Sequence, residues 1–391
     1  MTELNSKLYW QLSGFYLFYF ASIGTLIPYL GLYLQSHNYS AAQIATVFAV
    51  IMGTKIIAPN IWGWIADKSG KRMQIIRLAS FISLLAFSGI FISVEYHWLI
   101  FVMIVFSFFW NANLPQFEAV TLLHLGKNTG RYSSIRLWGS LGFVLLVALL
   151  GSIFEQYDVI SFPYIICALL LGIWIFSLIT PEAINAVHHV DAPNFSSVIK
   201  QPVVILFFIL VFLLQASHGP YYAFYSIYLE DNNYSRTIIG QFWALGVIAE
   251  ILIFMVMHKM LKFWRAETLL FCSLVFTSVR WLLVANYIDS FAIMFIAQLF
   301  HAASFGIFHA AAIHLVHKYF PANSQGRGQA LYSSLSFGAG GAIGAIYSGM
   351  TWDSLGPQWT FSIASLICVI ATVIALFYLR LNHSNIKETQ N

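Results

Sequence analysis

Five ionisable side chains stand in stretches that are otherwise almost wholly apolar, and their types suit the holding and releasing of anions and protons. Glu118 ends the run Asn-Ala-Asn-Leu-Pro-Gln-Phe-Glu, and Arg136 follows a short polar turn in Ser-Ile-Arg-Leu-Trp-Gly-Ser. A hairpin can bring such a carboxylate and guanidinium to one depth, where a bidentate pair costs far less in an apolar medium than either charge alone. The pair would either pin two helices together or act as a clamp whose arginine releases the glutamate to take an anionic or hydroxylated ligand. The second set is Glu250 in Gly-Val-Ile-Ala-Glu, Arg280 in Ser-Val-Arg-Trp and His301 in Gln-Leu-Phe-His. One carboxylate, one permanent cation and one imidazole can gain or lose a proton according to which partners are engaged. The plainer reading of this set is a buried network that only stabilises its surroundings.

Other groups are less telling. His218, Tyr221 and Tyr222 fall in Gln-Ala-Ser-His-Gly-Pro-Tyr-Tyr, where glycine and proline favour a break in a helix. The aromatic residues there either line a cavity or simply pack. Pro115 next to Glu118 also favours an irregularity that frees backbone groups. Lys55 is a lone cation in an apolar run, facing a cavity or snorkelling to the surface. His309, His314 and His317 continue along the segment that holds His301, and His301, His309 and His314 make no metal cluster without nearby carboxylates. The three cysteines, Cys167, Cys272 and Cys368, lie inside apolar runs without metal or disulfide spacing. No nucleotide-binding loop or nucleophile triad appears, so an enzyme is not expected. Any energy must come from an ion gradient, a partner or the solute's own concentration, with no cofactor and no metal.

These groups have to be positioned by elements that live in lipid. Of 391 residues, 59% are hydrophobic and 9% charged, against about 25% charged in soluble proteins. Mean hydropathy is +0.76. A span needs about twenty apolar residues, and twelve segments qualify, near 8–34, 41–66, 73–94, 98–124, 134–155, 161–181, 201–229, 237–260, 266–286, 290–317, 329–350 and 357–381. They must be helices, since an open sheet leaves backbone groups unsatisfied in lipid. The first segment is too long for the apolar region of a cleaved signal and is expected to remain as a span.

Basic residues set the orientation. Placing the N-terminus in the cytosol puts Lys68, Lys71, Arg72, Arg131, Lys259, Lys262 and Arg265 on the inner side. Glu95, Asp158, Glu230, Asp231 and Asp289 then lie outside, with Arg236 the one outer cation. That asymmetry predicts both termini inside. The net charge of +4 is therefore a topology signal and implies no nucleic-acid partner.

The chain also repeats itself. Tyr33 to Ser40 matches Tyr228 to Ser235 at five of eight positions, an offset of 195 residues. The first and seventh spans are thus equivalent, as are the second and eighth, and two parallel six-helix halves place a site near the midplane between them. The expected organisation is an N-terminal half at 1–181, a cytosolic linker at 182–200 and a C-terminal half at 201–391. Applied to Lys55, the offset gives Glu250.

Between the second and third spans runs Gly63-Trp-Ile-Ala-Asp67-Lys68-Ser-Gly70-Lys71-Arg72. Gly63 and Gly70 suit close packing and a tight turn, and Asp67 can accept from the N-terminus of a facing helix. The second half keeps Lys262 and Arg265 at the equivalent places but not the glycines or the acid. This stretch resembles the signature loop of the major facilitator superfamily, and the chain resembles that superfamily over its whole length. Within it, the chain is similar to the subgroup containing lactose permease, the nucleoside–proton symporters and the 3-phenylpropionate transporters, most of all the last. Glu118 and Arg136-Leu-Trp-Gly are similar to the acid–arginine pair that binds galactoside in lactose permease, and Glu250, Arg280 and His301 match its acid, arginine and histidine. One position departs: the proton-carrying glutamate one turn after the histidine is Ser304 here.

The resemblance implies an all-α, twelve-helix fold and a monomeric, multi-pass protein of the cytoplasmic membrane. It implies import of a small aromatic carboxylate with protons by alternating access. Arg136 or Arg280 would meet the carboxylate and the tyrosines the ring, His218 stands with them as a candidate substrate-binding residue, and Asp67 would be a latch that breaks on switching. A nucleoside or sugar carried with protons is the alternative, and a non-transporting sensor or scaffold is a reading of another class.

Overall fold

The computed structural model describes residues 5–126, 128–183, 195–320 and 324–388; the greater part of the expected linker, 184–194, lies outside them. Among the described residues all regular structure is helical. The spans are α1 (Ser6–Ser36), α2 (Ala41–Ser69), α3 (Arg72–Phe91), α4 (Tyr96–Leu125), α5 (Tyr132–Tyr157) and α6 (Val159–Ile179). They continue with α7 (Pro202–Asp231), α8 (Arg236–Phe263), α9 (Ala266–Asn286), α10 (Phe291–Tyr319), α11 (residues 325–355) and α12 (Pro357–Glu388). Eleven of these are long and apolar enough to cross a membrane. The exception, α11, is built from small and polar residues and from three pieces, Gln325–Ser333, a π-helical stretch Ser334–Gly340 and Gly341–Leu355.

Local sequence explains the ends. Asn5 caps α1 by accepting from Lys7 N, and Ser40 and Gln43 form a reciprocal capping box on α2. Glu95 caps α4, accepting from the amides of His97 and Trp98. Gly70 closes α2 with φ +68°, a left-handed conformation that glycine takes without strain. Two helices are interrupted near candidate site residues. α7 breaks at His218, between Pro202–Ser217 and Gly219–Asp231. In α10 a π-helical stretch, Ala302–Ile307, begins directly after His301. Pro115, by contrast, sits inside an unbroken α4.

The chain gathers into two compact units: Met1–His188 with Ala223–Ala244, and His189–Tyr222 with Leu245–Asn391. Residues 223–244, which span the α7–α8 turn, thus group with α1–α6. In that first unit Arg236 donates to Glu230 (2.6 Å), to Asp158 (2.8 Å) and to the Phe154 carbonyl (3.0 Å). The N–H and hydroxyl of Thr237 both bond Glu155. Arg236 beside Asp158 holds that carboxyl below its usual range. The second unit has its own apolar core, centred on Phe207, Leu210, Leu214, Leu274, Phe308 and Leu315.

Candidate functional site

In the second unit Arg280 of α9 is 0% exposed, so every donor has to find a partner. Nε donates to the Ala297 carbonyl at 2.9 Å, Nη2 to Gln298 Oε1 at 3.3 Å, and Nη1 to Ser304 Oγ at 2.9 Å. Nη1 also meets His301 Nδ1 at 3.1 Å. The guanidinium lies 4.4 Å from the ring centre of Tyr221 and 4.6 Å from that of Trp281. Tyr221 in turn donates to Gln298 Oε1 at 3.1 Å. A guanidinium has only protons to offer, so it assigns His301 Nδ1 as acceptor and places the ring proton on Nε2. That nitrogen lies 3.5 Å from Glu250 Oε2. The order Arg280, His301, Glu250 is therefore a chain in which the charge on the carboxylate is felt by the imidazole and through it by the arginine.

Three local features make this possible. Gly246, one turn before Glu250, admits α10: a Cβ there would come within 3.1 Å of Gln298 Oε1 and 3.4 Å of the His301 ring. The π-helical stretch then carries Ser304, three residues past His301, to the same Nη1. Ser304 thus stands in the arginine's own shell. Gln298 and Trp281 are members that the sequence reading passed over, although Gln298 lies three residues before His301, on the same helix face.

His218 is also 0% exposed. Its Nδ1 meets the Leu214 carbonyl at 2.9 Å, and its ring packs edge-on against Trp281 at 5.0 Å. Buried His218 Nε2 has no hydrogen-bond partner among the described residues. Tyr222 is half-buried, its hydroxyl accepting from Gln215 at 3.4 Å. His218 and Tyr221 are therefore walls of the Arg280 cluster, and Tyr222 is the more accessible ring.

The first unit is arranged differently. Glu118 and Arg136 are both half-buried, but the expected bidentate pair is not made. Glu118 Oε1 accepts from the Tyr132 hydroxyl at 3.3 Å. The Arg136 guanidinium lies 3.7 Å from the Phe20 ring centre and 5.7 Å from that of Tyr16. Tyr132, one turn before Arg136 on α5, reaches the carboxylate first, and α1 supplies aromatic faces that hold the cation instead. The Tyr16 and Tyr132 rings meet edge-on at 6.4 Å, so the acid and the arginine share one aromatic frame. Among the described residues Arg136 makes no side-chain hydrogen bond or ion pair, which leaves a planar fork of donors matched to a carboxylate.

In the loop between α2 and α3, Asp67 pairs with Arg72, and Arg72 also donates to Gln116 of α4. The acid therefore faces a guanidinium at the start of α3 where backbone amides of a helix N-terminus were expected; a full charge outbids a partial one. Gly63 faces Gln116 across 3.5 Å of space for a Cβ, and Lys68 lies over Trp64 at 5.2 Å. Lys55 Nζ contacts Met52 Sδ at 3.5 Å on its own helix. Among the described residues no group of three or more His, Cys, Asp and Glu could hold a metal ion.

Comparison with known proteins agrees with this architecture. The chain matches the MFS_1 like family over residues 9–363. It is 27% identical over 375 residues to the "Probable 3-phenylpropionic acid transporter" of Escherichia coli (strain K12), covering 91% of this chain and 95% of the relative. It is 23% identical over 375 residues to the maltose permease of Geobacillus stearothermophilus, covering 94% and 92%. A crystal structure of the nucleoside transporter NupG superposes with a TM-score of 0.78 at 17% identity, covering 95% of this chain and 98% of that one. The chain is a multi-pass membrane transporter and belongs to the MFS_1-like family.

Proposed function

We propose that this transporter carries a small aromatic carboxylate inward together with protons, by alternating access. The observation that supports this most is Arg136: a half-buried guanidinium held on aromatic faces with its hydrogen-bonding edge uncommitted. Such a cation takes a carboxylate bidentately, and the neighbouring rings of Phe20 and Tyr16 suit an aromatic body. Arg280, each of whose three nitrogens is engaged, is assigned to coupling and not to substrate. Glu250 is the proton carrier: protonation removes the charge that His301 Nε2 faces and so loosens the chain back to Arg280. Ser304 contributes a hydroxyl to Arg280 in place of a second carboxylate, which leaves the proton role to Glu250. The relative described as a 3-phenylpropionic acid transporter supports this substrate class.

Glu118 supports a second reading. A carboxylate held by a tyrosine hydroxyl accepts hydrogen bonds from the hydroxyls of a sugar or nucleoside, and the maltose permease relative points the same way. Counterflow in proteoliposomes separates the two. Uptake of 3-phenylpropionate with none of uridine or maltose selects the acid; the reverse pattern removes it. Glu250→Gln is expected to abolish accumulation driven by a pH gradient while leaving exchange intact, and unchanged accumulation would sink the proton assignment.

A further inference from the structure

The π-helical stretch of α10 aligns more than the Arg280 cluster. In a regular α-helix residues eight apart differ by about 80° around the axis. One π turn, which adds a residue to the turn, returns the second to within about 20° of the first. His301 and His309 are eight apart and flank this stretch. The result is a stacked column: the His301 and Phe305 rings lie 5.5 Å apart at 14°, and the Phe305 and His309 rings 5.9 Å apart at 16°. His309 Nδ1 meets the Tyr332 hydroxyl of α11 at 3.0 Å. Two turns further along α10, Gln329 Nε2 meets His317 Nε2 at 2.9 Å. The contact between α10 and α11 therefore carries two polar rungs. Exposure rises in step, from His301 at 6% through half-buried His309 to exposed His317.

We propose that His309, with the Tyr332 hydroxyl, is a second proton station that passes protons between the Glu250–His301 pair and His317 at the exposed end of α10. The inference rests on the proton-coupled reading above. One ring nitrogen of His309 takes the proton, water carrying it past Phe305, and the other nitrogen gives one up to Tyr332. Tyr332 releases its own hydroxyl hydrogen through water to the His317 imidazole, which gives a proton up to solvent at the exposed end, so both rings and the phenol return neutral. An imidazole suits this because its two nitrogens exchange roles at neutral pH. The charged and titratable groups around the column are Glu250 on α8, Arg280 on α9, Tyr332 on α11 and, on α7, Tyr221 with His218 beside it. At the exposed end Glu267 on α9 pairs with Lys318 on α10 and with Arg265. In this relay His317 is the acceptor at that end. Aromatic packing alone would explain the stack but not polar partners on both outer histidines.

The test uses the full-length protein in proteoliposomes with a trapped pH dye and 3-phenylpropionate as the probe. His309→Gln is expected to slow solute-driven proton entry roughly tenfold or more, with counterflow within about twofold of wild type and an unchanged melting temperature. Tyr332→Phe keeps the ring and is expected to give a smaller loss of the same kind. A wild-type protein that exchanges solute without moving protons removes the proton-coupled reading and this inference with it. Proton entry at the wild-type rate in both variants removes this inference alone. Equal loss of exchange and proton entry in folded His309→Gln also overturns it, in favour of a structural or solute-binding role.

Discussion

Two arginines, one in each unit, have opposite surroundings. Arg280 is fully enclosed, with Ala297, Gln298, His301 and Ser304 on its nitrogens and Tyr221 and Trp281 against its guanidinium. Arg136 rests on Phe20 and Tyr16 and its nitrogens have no hydrogen-bond partner among the described residues. Taking an ion out of water costs several kcal/mol even after relaxation, so Arg280 can be buried only because its partners are fixed in advance. A site that must bind and release a ligand needs the other condition, a cation partly held and partly open. On the function proposed above, the difference would separate a group that transmits charge from a group that takes a solute.

The comparison predicts which property each substitution strikes. Arg280→Gln is expected to lower stability by about 3–5 kcal/mol, because it strands a buried network; a melting temperature within a degree or two of wild type would show the enclosure to be dispensable. Arg136→Ala should leave melting nearly unchanged and reduce uptake roughly a hundredfold or more, the loss of a charge-assisted bidentate contact. A variant that melts early but still transports would invert the contrast. Ser304→Ala removes one of several partners of Arg280 and should cost about 1.5 kcal/mol. Thermal melts of the single and Arg280 double variants would read that coupling. The smallest effect lies outside both clusters. Asp158 is held below its usual carboxylate range by Arg236. Its contribution is therefore present above the ordinary aspartate range and is lost as pH falls through the depressed value. As Asp158 is largely exposed, the loss should stay under about 1 kcal/mol. Melting of Asp158→Asn should match wild type at low pH and fall slightly below it at neutral pH.

Much of this was legible in the residues. Eleven of the twelve helices, the α2–α3 loop and its Gly70 turn, and the break at His218 all follow from local composition and glycine or proline placement. The set Glu250, Arg280 and His301 was recognisable as a set, and the three do meet. Hairpin depth predicts that Glu118 pairs with Arg136, but depth alone ignores which side chain on the facing helix is first in reach of the carboxylate, and that is Tyr132. The π turn of α10 leaves no pattern that composition reveals, yet it brings Ser304 to Arg280 and puts Phe305 between His301 and His309 in one stack. Residues 223–244 were counted with the second half, and they gather with α1–α6.

What the sequence determined by itself is what lipid enforces locally: a backbone with no water must bond within its own segment, so apolar length becomes helix and stray charge becomes a functional candidate. Which partner each charge takes is a matter of a few ångströms of helix rotation and depth. That was decided only when α9 and α10 closed around Arg280, and when α1 offered Arg136 aromatic faces in place of a carboxylate.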